Sequence, residues 1–102
     1  MSIQLLSKAI EDRVVVSFRH EGRQYSVEPY SVGYNKPLAK TAGPLILRGW
    51  SILTDGWRDF QVKHMSRIEV SDLHFAGDRP GHADLLWVHR DVWGRADGQT
   101  NL

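Results

Sequence analysis

Metal binding is the first chemistry to ask of a sequence with five histidines, at positions 20, 64, 74, 82 and 89. A chelating pair needs ring nitrogens on one face, which spacings such as His-x-x-x-His or His-Glu-x-x-His provide on a helix. None occurs, and there is no cysteine to complete a site, so no metal ligand is expected. Nucleophilic catalysis fares no better. Ser17, Ser26 and Ser51 lack a Gly-x-Ser-x-Gly elbow, no paired carboxylates stand out for acid–base work, and the glycines form no phosphate-cradling loop. The expectation is a binding protein without catalytic residues or cofactors, not an enzyme.

Charge and aromatic residues bear on what is bound. The formal net charge over 102 residues is +1, but it is unevenly spread. Residues 36–67 carry Lys36, Lys40, Arg48, Arg58, Lys63 and Arg67 against Asp55 and Asp59, whereas residues 68–102 carry three arginines against six acidic side chains. A positive middle and a negative tail either make a local field or cover one another. Trp50 and Trp57 flank a strand–turn–strand. They can stack bases or bury area, and packing is the commoner use of large aromatics.

The elements that must position these groups follow from periodicity. Ile3, Leu6 and Ile10, with Leu5 and Ala9 widening the stripe, predict a short amphipathic helix. After Asp12 the period becomes two: Val14, Val16 and Phe18 alternate with Val15, Ser17 and Arg19. Glu21-Gly22 then turns the chain into a strand bearing Tyr25 and Val27, which Pro29 should end. Residues 33–44 read as a loop. Leu45–Leu53 predicts a third strand, apolar on both faces, with a bend or bulge at Gly49. A turn at Thr54–Gly56 leads to a fourth strand, Trp57–His64, with Phe60 and Val62 inward, and a brief fifth strand around Ile68 and Val70. Asp84 is placed to open a final helix carrying Leu85, Val88 and Val92. The division is a barrel domain over 1–80 and a helical tail over 81–102. No basic-then-apolar leader is present and no run approaches the roughly 20 apolar residues of a membrane span, so a cytoplasmic, bacterial-type protein is expected.

Ala9-Ile-Glu-Asp-Arg13, the Val-rich hairpin, Val27-Glu-Pro-Tyr30, Leu45-Ile-Leu-Arg-Gly-Trp50, Trp57-Arg-Asp-Phe-Gln-Val62 and Ile68-Glu-Val70 occur in the order found in the WYL domain. The chain resembles that family over roughly residues 5–76. The likeness implies an Sm-like barrel: a helix followed by a strongly bent five-stranded antiparallel sheet. It also implies a ligand-binding, regulatory role directed at nucleic acid or nucleotide-like ligands. Two departures stand out. Leu45-Ile46-Leu47 occupies the place of the Trp-Tyr-Leu that names the family, and Gln61 and His64 stand where two family arginines are expected. No helix-turn-helix precedes the domain in this sequence, so direct operator binding is not expected.

The resemblance places an anion near Arg13, Tyr30, Arg48, Gln61, Lys63 and His64. Cationic donors on adjacent strands beside an aromatic ring suit a phosphate and a stacked base. The expected partner is therefore a nucleotide or single-stranded nucleic acid. The alternative is a protein-interaction module, a homodimer joined through Leu86, Trp87 and Trp93 of the tail. The bland reading of the same cations is solvated strand charge.

Overall fold

The computed structural model describes residues 2–34, 44–83, 85, 87 and 88. The architecture is mainly β: an antiparallel five-stranded sheet with one N-terminal helix. Helix α1 (Ser2–Asp12) precedes β1 (Val14–His20), β2 (Arg23–Tyr34), β3 (Leu45–Ser51), β4 (Gly56–Gln61) and β5 (Met65–His74). A 3-10 turn, Val62–His64, joins β4 to β5, and a two-residue strand β6 (Trp87–Val88) follows. The sheet order is β4-β3-β2-β1-β5, with β6 added to β2.

The expected helix forms because Leu6 and Ala9 bury completely or nearly so while Ile3 and Ile10 pack at the margin. Leu5 departs from the stripe and is 41% exposed. Arg13 ends the helix in the left-handed region (φ 55°), and its N–H still reaches the Ile10 carbonyl. The hairpin turn pairs His20 with Arg23 across Glu21 and Gly22, both at positive φ. Val14, Val16, Phe18, Tyr25, Val27, Val32, Leu47, Phe60 and Met65 then close the core against α1. Phe60 stands edge-on to both Phe18 and Tyr25 at 4.9 Å.

Pro29 does not end β2. The strand runs on to Tyr34, because a bulge accommodates the residue that cannot donate: Pro29 faces Gly49, yet Ser31 already faces Arg48. Before the bulge, Tyr25 and Val27 point into the core; after it, Val32 does. The ladder with β1 has stopped by then, at Val16–Val27. That leaves the far end of β2 with unpaired backbone groups, and Trp87–Val88 pairs there with Gly33 and Tyr34. The tail helix expected over residues 85–93 is replaced at 87–88 by a strand; Leu86 and residues 89–93, Trp93 included, lie outside the described residues. Leu85 is buried.

The expected bent barrel is not closed: the five strands form an open antiparallel sheet. Val62 and His64 belong to the 3-10 corner rather than to a long fourth strand, and among the described residues no ladder joins β4 to β5. The fifth strand is longer than Ile68–Val70 because two irregularities let it follow β1. Arg67 (φ 53°) supplies one extra residue between the Ser17–Glu69 and Arg19–Ser66 pairs. Near the other, the Ser71 hydroxyl donates to the Val15 carbonyl at 2.7 Å and accepts from the Leu73 N–H. No described helix is long and apolar enough to cross a membrane.

Gly49 is where β3 approaches β2 most closely among the described glycines. A Cβ there would lie 2.5 Å from the Glu28 carbonyl oxygen and 2.7 Å from Val27 Cγ1. We expect Gly49→Ala to destabilise the protein by about 2 kcal/mol or more, the cost of overpacking against backbone that cannot yield. Urea unfolding measures it, and a change within about 0.5 kcal/mol would show that β2 and β3 can separate freely.

Candidate functional site

The sheet surface opposite the core is not simply solvated. Cross-strand pairing sets Glu28 opposite Trp50, Trp50 opposite Trp57, and Arg48 opposite Asp59. These side chains, with Tyr30 at the bulge, form a polar–aromatic face, and residues 75–83 fold back across it. Tyr30 is the hub: its ring lies 4.8 Å from Trp57, 5.4 Å from Phe75 and 5.1 Å from His82. Trp57 also stands perpendicular to Trp50 at 5.6 Å. All five rings are half-buried.

Polar contacts fasten the crossing segment. Arg79 donates from Nε and Nη2 to the two carboxylate oxygens of buried Glu28, at 2.7 and 3.1 Å, and lies over the Trp50 ring at 4.3 Å. The hydrogen bond to Glu28, helped by that carboxylate's charge, holds the Arg79 guanidinium above its ordinary pKa. The Arg79 N–H reaches the Tyr30 hydroxyl, and Trp57 Nε1–H reaches the Pro80 carbonyl at 3.0 Å. Arg48 forms a two-pronged pair with Asp59 (2.8 and 2.9 Å) and gives Nη1 to the Ala83 carbonyl at 2.7 Å.

Two clefts flank this cluster. One, about 340 Å³, lies between the end of α1 and the crossing segment, walled by Glu11, Arg13, Tyr30, Phe75, Gly77 and His82 among others. Arg13 Nη1 donates to the Ala76 carbonyl while the Phe75 N–H donates to the Arg13 carbonyl, so the guanidinium is anchored at the rim. Gly77 (φ 78°) passes so close that a Cβ would lie 2.8 Å from Arg13 Nε. The second cleft, about 320 Å³, is walled by Arg48, Trp57, Arg58, Asp59, Gly81 and Ala83.

The expected anion set is thus divided. Arg13 and Tyr30 share the first cleft, and Arg48 lies in the second with its charge met by Asp59. Gln61 pairs with Ile46 at the end of β4, while Lys63 and His64 sit on the 3-10 corner, where His64 Nδ1 is 3.5 Å from Glu21 Oε2. None of these last three lines either cleft. Of the expected interface, Trp87 has its backbone paired to Tyr34, while Leu86 and Trp93 lie outside the described residues. Sequence reasoning missed Glu28, Phe75, Arg79 and His82, and no local pattern could have found them: the Glu28–Arg79 pair spans 51 residues. No protein family, curated protein or solved structure matches the chain.

Replacing Arg48 by Lys keeps the charge but loses the fork that holds Asp59 and Ala83 together. Hydrogen exchange at the amides of residues 75–83 should become about tenfold faster, the equivalent of one charge-assisted hydrogen bond. Unchanged protection there would mean that the aromatic contacts alone secure the segment.

Proposed function

We propose that the chain is a WYL-like ligand-binding module, regulatory in kind, that takes a nucleotide or the end of a single-stranded nucleic acid in the Arg13–Tyr30 cleft. The observation that carries this reading is the cleft's composition. An anchored guanidinium meets the Tyr30, Phe75 and His82 rings, with Glu11 also on the wall, in one concave space of about 340 Å³, within the usual size of a small-molecule site. A cation beside π-faces suits a phosphate attached to a planar base. The succession of one helix and five antiparallel strands supports the resemblance on which the regulatory, Sm-like part of the reading rests.

Arg13→Gly is the informative variant, because glycine tolerates the φ of 55° at that position while losing the cation. Titrated with nucleoside monophosphates and with short single-stranded DNA and RNA, the wild type should bind with a clear salt dependence. Arg13→Gly should weaken binding by about tenfold or more and flatten that dependence. If the wild type binds none of these ligands, or the variant binds as well, the reading fails.

A second reading has its own observation. Val70 and Leu73 on β5 are 41% and 64% exposed, and among the described residues no strand covers the outer edge of β5. Such an edge invites pairing with a second copy. Leu73→Lys should then convert a dimer to a monomer by light scattering at micromolar concentration, whereas a wild-type monomer dismisses this reading.

A further inference from the structure

A third cluster lies away from both clefts, where the β1–β2 hairpin tip meets the β4–β5 corner. His20 ends β1, Glu21 occupies the turn, and His64 ends the 3-10 turn. The pairing of His20 with Met65 brings these segments together. Each side chain offers one ligand atom, and the three atoms lie within 4.8 Å of one another. The two imidazole centroids are 6.1 Å apart.

These groups are not satisfied by one another. His20 Nε2 is buried without a hydrogen-bond partner, in a ring packed edge-on to Phe60. The His64–Glu21 separation of 3.5 Å is longer than a well-made hydrogen bond. We infer that His20, Glu21 and His64 form a binding site for a divalent transition ion such as Zn²⁺. Two imidazoles and a carboxylate are a known zinc ligand set, with a fourth position left for solvent. Ligand atoms around a tetrahedral zinc lie roughly 3.4 Å apart, from bonds of about 2.0–2.1 Å. Glu21 and His64, with side chains 68% and 42% exposed, have solvent around them in which to adjust. His20 is the fixed member, held by the aromatic core. A bound ion would strap the hairpin tip to the corner at which the sheet stays open.

The test uses the full chain without a histidine tag and Zn²⁺ alone as the probe. Calorimetry should give one ion per chain, and near-saturating Zn²⁺ should raise the melting midpoint by roughly 5–10 °C. His64→Ala, at an exposed position, should keep the fold by circular dichroism yet weaken binding by about tenfold or more and abolish the thermal shift. His74→Ala, a histidine outside the cluster, should change neither. Absence of binding by the wild type overturns the site, as does binding that survives His64→Ala or vanishes in His74→Ala.

Discussion

One extra residue in β2 underlies both the core and the candidate site. Five residues of β2 separate Val27 from Val32, but only four of β3 separate Ser51 from Leu47, so a regular ladder cannot hold both the Val27–Ser51 and the Val32–Leu47 pairings. The bulge between Pro29 and Ser31 absorbs the offset, returning Val32 to the core side on which Val27 already lies. Tyr30, at the bulge, lies on the opposite surface, between Trp57, Phe75 and His82. Gly49 makes the arrangement possible by allowing β3 to approach the Glu28 carbonyl more closely than any side chain would permit.

The same strand explains why residues 75–83 adhere to the sheet. Glu28 is buried on the outer surface, and a buried carboxylate is costly unless it is paired. Arg79 supplies both hydrogen bonds and covers Trp50 as well. Further along, Arg48 and Trp57 each hold a backbone carbonyl of the crossing segment. Two of the six cations in the middle of the sequence are engaged by the fold: Arg48 meets Asp59 and Ala83, and Arg58 lies over the Tyr25 and Phe60 rings. The proposed ligand cleft depends on Arg13 instead, a residue whose left-handed backbone both ends α1 and sets its side chain beside Gly77.

Local patterning determined a good part of this protein. The i, i+3, i+7 stripe of Ile3, Leu6 and Ile10, the alternation of Val14, Val16 and Phe18, and the Glu21-Gly22 turn each specify their element within a dozen residues, where propensity and burial agree. The inward direction of Phe60 was legible for the same reason. Other outcomes needed the assembled sheet. Whether Pro29 ended β2 or sat in a bulge depended on β3 being opposite it, and Trp87–Val88 became a strand because the end of β2 had hydrogen-bonding groups left over. The site needed most from tertiary structure. Arg13 meets the 75–83 segment, Glu28 meets Arg79, and His20 meets His64 only through long-range strand pairing, so the spacing of these residues along the chain carries no trace of their contact.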